Sequence, residues 1–312
     1  MMLTFLTPVF KSLPANGKGR IALTMAIPIG ANLGGMGTPI GTPPNAFAYK
    51  VLNDPTGMNM DISFGDWMMF MVPLVLVLLV ISWLLLKWFF PFKQKTIELE
   101  INGDMQHNWR TVVVAITFAV TIILWVFGKP IGINANMVAM LPIAVFAFTG
   151  VITAKDLQDI DWGVIWMVAG GFALGLAMNG TGLAKTAMDA IPFGEWSPIV
   201  ILVISGLVTF FLSNFISNTA TAALMIPILA VVCEGMGDKL NIIGGTSTVL
   251  IGIAVAASAA MCLPISTPPN AIAYSTGLIE QKDMSKTGLS VGIITLILGF
   301  SLLIVLGKQG LF

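Results

Sequence analysis

Charge is what this sequence has least of. Only 10% of its 312 residues are charged, whereas a soluble domain carries about 25%. Lysine plus arginine and aspartate plus glutamate number 15 each, so no excess of positive charge is available to neutralise nucleic-acid phosphates. Hydrophobic residues make up 56% of the chain and the mean hydropathy is +0.92. These proportions argue against a nucleic-acid partner and predict an all-α protein that crosses the lipid bilayer of the cell membrane several times.

Reactive side chains are also scarce, with two cysteines and one histidine. Cys233 and Cys262 lie far apart in apolar sequence, where free thiols usually pack as small hydrophobic groups. His107 stands alone in a polar stretch, without the spacing of a metal site. Neither a metal cluster nor a nucleophile with a neighbouring base can be recognised, so we expect neither an enzyme nor a bound cofactor.

The apolar segments carry essentially no ionisable residue at mid-depth, where a proton-coupled carrier would keep Asp, Glu or His. Their polar residues are neutral and are concentrated at positions 213–219 (SNFISNT) and 266–270 (STPPN). Irregular backbone at membrane depth is tolerated only where protein buries it or where it lines an aqueous cavity. The two clusters therefore predict a binding site.

The second cluster has a near copy early in the chain. TPPNAFAY at 42–49 repeats TPPNAIAY at 267–274, with Gly41 where Ser266 stands in the later copy. Two proline-interrupted apolar segments in corresponding positions of two halves indicate the substrate site of a repeat-built transporter.

Between these motifs the hydrophobic pattern predicts helical segments. Segments 197–212 and 220–232 are each too short to span comfortably, and we interpret them as a re-entrant hairpin with its tip at 213–219. A broken helix is predicted over 242–279. The remaining predicted helices cover 21–33 and 46–52, on either side of a break, and 67–90, 110–127, 136–152, 162–178 and 287–306.

Loop charges predict the orientation. Loops around 11–20, 87–110, 155 and 282–286 hold ten lysines and arginines, and the opposite loops hold five. By the positive-inside rule the first set is cytoplasmic, which makes the C-terminus extracytoplasmic.

Neutral hydroxyls, amide oxygens and free carbonyls suit a hard cation such as sodium. Helix N-termini opening at Asn218 and after Pro269 present unpaired N–H groups and a positive dipole end, which attract carboxylate or sulfate. The residues thus predict an anion held by neutral dipoles together with bound cations.

The motif SNTATA at 217–222, followed by STPPN at 266–270 and preceded by GTPPN at 41–45, resembles the divalent anion:sodium symporter family of dicarboxylate, citrate and sulfate carriers. The resemblance covers nearly the whole chain. It implies inverted repeats that each contribute a re-entrant hairpin and an unwound helix, elevator-type motion and a homodimer. Applied to this chain, it divides it into a first repeat at 1–92, a cytoplasmic linker at 93–108 and a second repeat at 109–312.

The resemblance also implies the roles of individual residues. The implied sodium ligands are Ser213, Ser217, Asn218, the backbone at Ser266 and the carbonyl of Gly41. The implied substrate-binding residues are Asn218, Thr219, Thr42, Pro43, Thr267 and Pro268. The Ser-Asn-Thr motif of the first repeat would fall about five or six positions before Met1, depending on the register. We therefore expect a chain shortened at its N-terminus, which lacks half of the site.

The favoured hypothesis is sodium-coupled symport of di- or tricarboxylates such as succinate, malate, fumarate or citrate. A sodium-independent exchanger and a sulfate carrier of the same fold stay open. A channel also fits neutral polar breaks, although paired half-helices suit alternating access better. A non-transporting membrane subunit is the alternative from another class, because one Ser-Asn-Thr motif is missing.

Overall fold

A computed structural model describes Val9, Leu13 and residues 17–54, 58–91, 108–128, 132–133, 135–158 and 196–310, with separate positions between 162 and 186. The structured segments of this part of the chain are helical. The helices are α1 (Lys18–Met36), α2 (Pro43–Leu52), α3 (Phe64–Phe89), α4 (Trp109–Phe127), α5 (Ala135–Phe148), α6 (Ala154–Gln158), α7 (Pro198–Phe215), α8 (Asn218–Met236), α9 (Gly245–Ser258), α10 (Pro268–Ser275) and α11 (Gln281–Lys308), and a 3₁₀ helix at Gly237–Ile243 follows α8.

Five of these helical segments are long and apolar enough to cross a membrane, judged by length and composition. They are α3, α4, α7, the segment Asn218–Ile243 and α11. This count covers the described residues only. The predicted all-helical, multi-pass membrane class is confirmed in that part of the chain. The predicted helix at 162–178, the segment before residue 17 and the linker at 93–108 lie wholly or mostly outside the described residues.

Short polar side chains set where the long helices begin. Ser63 and Asp66 form a capping box at the start of α3, with Asp66 N 2.9 Å from Ser63 Oγ and Ser63 N 2.8 Å from Asp66 Oδ2. The Ser197 hydroxyl accepts a hydrogen bond from Val200 N at 3.3 Å and so caps α7. Such caps satisfy N–H groups that have no partner inside the helix.

The structure corrects the prediction that the arms around 213–219 are too short to span. Helix α7 has 18 residues, and α8 with the 3₁₀ helix forms a candidate span of 26 residues. Because about 20 residues cover the hydrocarbon core, length does not distinguish a re-entrant hairpin from two spans here. The arms are longer than predicted because Ser217 caps α8 directly, leaving only Ile216 and Ser217 in extended conformation.

The core of the described protein is centred on α9. Its residues from Ser247 to Ser258 are all buried, and it packs against α2, α7, α8 and α11. A helix that is apolar on all sides is stable only when it is enclosed. The segment that leads into the second TPPN motif is thus the most enclosed helix of the described chain.

Lys87 and Lys286 are predicted to face the same side of the membrane, and they lie near the end of α3 and near the start of α11. Lys286 Nζ, near the start of α11, lies 4.2 Å from the Phe89 ring centroid at the end of α3. Lys87 Nζ lies 4.6 Å from the Trp83 ring centroid. Basic and aromatic side chains paired in this way are typical of a membrane interface.

Helix α11 approaches the end of α9 through glycines. A Cβ atom on Gly288 would collide with the carbonyl group of Met261, and one on Gly292 would lie 2.5 Å from the Phe210 ring. Glycine at these positions lets the backbone of α11 lie directly against the loop that follows α9.

We expect Gly288→Ala to lower stability by about 1–3 kcal/mol, because the added methyl group must displace backbone at Met261. The matched control is Gly30→Ala in α1, where an added Cβ meets nothing within 4 Å and should leave stability unchanged or raise it slightly. Thermal unfolding of the detergent-purified protein measures both. Equal unfolding temperatures for the two variants would contradict the packing described here.

Candidate substrate and cation site

The two TPPN segments have the same local structure. Thr42 (φ −136°, ψ 148°) and Thr267 (φ −142°, ψ 150°) are both N-caps, and a proline opens each helix. Each threonine hydroxyl accepts a hydrogen bond from the asparagine N–H three residues on, at 3.5 Å to Asn45 and 3.3 Å to Asn270. Both helical breaks are confirmed, but α2 begins three residues before the predicted helix at 46–52, because proline is well suited to the first helical position.

The asparagine of each TPPN motif holds the broken backbone that precedes it. Asn270 Nδ2 donates to the carbonyls of Met261 at 2.9 Å and Leu263 at 3.0 Å. Asn45 Nδ2 makes the corresponding bonds, nine and seven residues upstream, to Met36 at 3.1 Å and Thr38 at 2.9 Å. These bonds satisfy carbonyls that the interrupted helix leaves free. Neither asparagine has a role in the predicted site, although the repeat that contains both of them is a sequence signal for one.

The two asparagines differ at their side-chain oxygens. Asn270 Oδ1 accepts a hydrogen bond from Asn32 Nδ2 at 3.1 Å, between residues 238 positions apart. Asn45 Oδ1 is buried and has no hydrogen-bond partner within the described chain. The orientation of the Asn45 amide is nevertheless fixed, because the reverse orientation would turn its oxygen toward the carbonyls of Met36 and Thr38.

The turn between α1 and α2 is closely packed on itself. A Cβ on Gly35 would lie 2.7 Å from Thr42 Cγ2 and 2.8 Å from the Gly41 carbonyl oxygen, and one on Gly41 would collide with the Gly35 carbonyl. Gly41 is exposed, which leaves this predicted sodium ligand accessible at the start of α2. Glycine is required here because two backbones approach each other.

The SNFISNT cluster forms the tight turn between α7 and α8. Ser213 Oγ lies 2.8 Å from Asn218 Oδ1 and 3.0 Å from the carbonyl oxygen of Ala257. The Ser217 hydroxyl accepts a hydrogen bond from Ala220 N at 3.2 Å. The structure therefore brings together the side chains of two predicted sodium ligands, Ser213 and Asn218, and uses the hydroxyl of a third, Ser217, as a helix cap.

Asn214 joins this turn to the second TPPN segment. Its Oδ1 accepts from Cys262 N at 2.8 Å, and its carbonyl oxygen accepts from Ser266 Oγ at 3.0 Å. The Ser266 side chain thus lies against the turn, whereas the predicted sodium ligand at this residue is its backbone. Asn214 was missing from the predicted site, because its partners lie about 50 residues downstream and no local pattern marks them.

The first TPPN segment reaches the same place. Thr42 Oγ1 lies 2.9 Å from Ser258 Oγ, and Ser258 follows the Ala257 carbonyl that accepts from Ser213. Two of the predicted substrate-binding residues, Thr42 and Asn218, are therefore connected through adjacent residues of α9.

The other predicted substrate-binding residues adjoin this cluster along the chain. Thr219 and Pro43 are half-buried, Pro268 is exposed and Thr267 is buried. The described groups that meet here are hydroxyls, side-chain amides, backbone carbonyls and the N-termini of α2, α8 and α10. Such a set can bind a hard cation through oxygen and an anion through N–H dipoles.

Comparison with known proteins gives a family match and several relatives. A family described as citrate transporter matches residues 1–244. A transporter of Haemophilus influenzae, named as uncharacterized, is 29% identical over 89% of this chain and 61% of its own length. A sodium-dependent dicarboxylate transporter of Staphylococcus saprophyticus is 30% identical over 88% of this chain and 57% of its own. An uncharacterized transporter of Methanocaldococcus jannaschii is 27% identical, with 89% and 62% covered. The chain thus spans about 60% of the length of these relatives.

Exchanging the Asn45 amide for a carboxyl group tests the backbone support. We expect Asn45→Asp to lower stability by about 3 kcal/mol or more, because two carbonyls lose their donors and face a carboxyl oxygen instead. Asn241→Asp at an exposed position of the 3₁₀ helix is the control and should change little. Thermal unfolding in detergent measures both, and a wild-type unfolding temperature for Asn45→Asp would contradict this role.

Proposed function

Because this chain belongs to the citrate transporter family, we propose that it is a secondary active carrier that couples sodium entry to uptake of di- or tricarboxylate anions. The observation that carries the proposal is the convergence of the α7–α8 turn with both TPPN segments. Ser213 and Thr42 contact adjacent residues of α9, at 3.0 and 2.9 Å. Three helix N-termini and a group of neutral oxygens are thereby assembled within apolar surroundings, which favours an anion accompanied by cations.

The cations would use the oxygens of the turn. A sodium ion between Ser213 Oγ and Asn218 Oδ1 would replace their 2.8 Å hydrogen bond. The Ser213 proton can then be donated to the Ala257 carbonyl at 3.0 Å, which leaves lone pairs of both side chains for the ion. The Ser217 oxygen and the backbone of Ser266 would complete this sodium site, and the Gly41 carbonyl would serve a second one.

The anion would be held by dipoles rather than by charged side chains. Asn218 and Thr219 begin α8, Thr42 and Pro43 begin α2, and Thr267 and Pro268 begin α10. The N–H groups of Asn218 and Thr219 at the start of α8 and the threonine hydroxyls are suitable donors to carboxylate oxygens. Helices α2 and α10 each begin with two prolines, which have no N–H, so their starts would contribute the threonine hydroxyl and the positive end of the helix dipole. Sodium bound beside them would offset the charge of the anion.

The larger organisation belongs to the same proposal. Residues 1–92 and 109–312 would be inverted repeats on either side of a cytoplasmic linker at 93–108, with α7 and α8 as a re-entrant hairpin. The hairpin and broken helices would move together as an elevator within a homodimer, and the C-terminus would be extracytoplasmic. In both TPPN segments the motif asparagine donates to carbonyls nine and seven residues upstream, and this shared pattern supports the repeat.

The coupling ion and the cargo class have support from one relative. The Staphylococcus saprophyticus protein is named for sodium dependence and dicarboxylates. Oxygen-bearing side chains at Ser213, Ser217 and Asn218 also favour sodium coupling over exchange without sodium. A sulfate carrier would use the same helix N-termini, since sulfate is a divalent oxyanion.

Uptake of labelled succinate tests the proposal. Proteoliposomes of the natural full-length protein should accumulate succinate in sodium buffer and not in choline buffer, because the dipoles that hold the dianion need bound sodium beside them to offset its charge. Citrate and sulfate are added as competitors. Equal uptake in both buffers would indicate an exchanger, strong inhibition by sulfate alone would change the cargo, and absence of uptake would contradict the cargo class.

Single substitutions in the turn test the site. Asn218→Ala and Thr219→Ala should each reduce sodium-driven uptake about 10- to 100-fold or more, as expected when a hydrogen bond to a charged partner is lost. Unfolding temperatures should stay near wild type, because both residues are half-buried. Ser205→Ala, which removes a hydroxyl from α7 away from the turn, is the control. Wild-type uptake by Asn218→Ala or Thr219→Ala would remove that residue from the site.

A further inference from the structure

We propose that Ser258 and Asn32 are positioning residues that fix the spacing between the two TPPN segments, and with it the length of the anion that is carried. The inference rests on the proposed function, since it places the two ends of one cargo at two helix N-termini. Neither residue belongs to the motifs that define the site.

Each TPPN segment is bonded to the helix that leads into the other one. Ser258 is the last residue of α9, which leads into the second segment, and its Oγ lies 2.9 Å from Thr42 Oγ1 in the first. Asn32 lies near the end of α1, which leads into the first segment, and its Nδ2 lies 3.1 Å from Asn270 Oδ1 in the second. The two bonds therefore cross between the halves of the chain.

The crossing follows the repeat. The two TPPN copies are offset by 225 positions, since Asn45 corresponds to Asn270. With that offset Ser258 corresponds to Leu33, the neighbour of Asn32. Asn32 in α1 and Ser258 in α9 therefore occupy nearly equivalent positions in the two copies. Each side chain bonds to the TPPN segment of the other copy. The bonds end on different motif residues, Thr42 in the first segment and Asn270 in the second. Together they support both sides of a site that holds the two ends of one anion.

These bonds restrict movement because all four side chains are short and three of them are buried, with Thr42 half-buried. Ser258 is 1% exposed, Asn270 2% and Asn32 7%. In such surroundings a hydrogen bond is stronger than in water and its loss is costly. A displacement of more than about 0.5 Å would take either pair toward the limit of hydrogen-bond length. The separation of the first helix residues of α2 and α10 is therefore fixed by side chains outside the motifs.

Ser258 also decides which way the Thr42 proton points. Thr42 Oγ1 already accepts from Asn45 N at 3.5 Å as the cap of α2. We assign the donor role in the 2.9 Å contact to Ser258, which gives Thr42 two donors and leaves its own proton for a carboxylate. Loss of the Ser258 hydroxyl would free the Thr42 hydroxyl to rotate away from the anion.

Transport kinetics of Ser258→Ala test this assignment in the natural full-length protein in sodium-containing proteoliposomes. The probes are succinate, glutarate and adipate, dicarboxylates of increasing length. We expect the KM for succinate to rise about three- to tenfold, as for the loss of one hydrogen bond. The KM for adipate should change less, so the preference for succinate over adipate falls. Asn32→Ala should lower the same preference through the second bond.

The control is Ser247→Ala, which removes an equally buried hydroxyl from the other end of α9, where Ser247 Oγ contacts Met60 Sδ. It should leave the preference at its wild-type value. An unchanged preference in both Ser258→Ala and Asn32→Ala would overturn the proposal, as would an equal change in Ser247→Ala, which would indicate a general loss of packing.

A thermal double-mutant cycle separates this proposal from the proposed function. Absence of wild-type uptake of all three acids would reject the dicarboxylate function. The cycle of Thr42→Val, Ser258→Ala and the double variant requires no cargo, and unfolding temperatures that do not add support the contact. Additive shifts would overturn the positioning role whether or not the protein carries dicarboxylates.

Discussion

Interrupted backbone in an apolar core requires replacement hydrogen bonds, and here two asparagine amides supply them. Asn45 and Asn270 each donate to two carbonyls that lie nine and seven residues upstream, at 2.9 to 3.1 Å. Without such donors, free carbonyls at membrane depth would each cost several kcal/mol. The direction of α2 and α10, and hence the position of every group at their N-termini, depends on this support. Both asparagines are almost completely enclosed, so water cannot substitute for them.

The sequence predicted the parts of this protein that local pattern determines. Low charge and long apolar segments gave the membrane class, and the TPPN repeat located both helical breaks. The resemblance to sodium-coupled divalent anion carriers is confirmed at the level of the family by the match over residues 1–244 and by a relative named as a sodium-dependent dicarboxylate transporter. Helix starts and the length of the arms around Ser217 were wrong by a few residues, because caps and a proline at the first helical position extend the helices.

The remaining part of the site depends on contacts between distant residues. Asn32 meets Asn270 across 238 positions, and Thr42 meets Ser258 across 216. Asn214 Oδ1 accepts a hydrogen bond from Cys262 N, and no local sequence pattern predicts this partner. In a single sequence, an asparagine or a serine in an apolar helix carries no signal for which distant residue it contacts. Composition and pattern therefore locate the site, whereas the residues that position it are identified only by the contacts of the folded chain.

The neutral character of the site has a consequence for acidity. Among its described residues every side chain is a hydroxyl, an amide or a proline, and none of these gains or loses a proton near neutral pH. If the cargo is a dicarboxylate, the groups in the complex that titrate in the mildly acidic range belong to the cargo. The protonation of the cargo, and not that of the described site residues, would then set how much uptake changes as the external pH falls. Under the proposed function, uptake would vary with external acidity through the chemistry of the cargo itself.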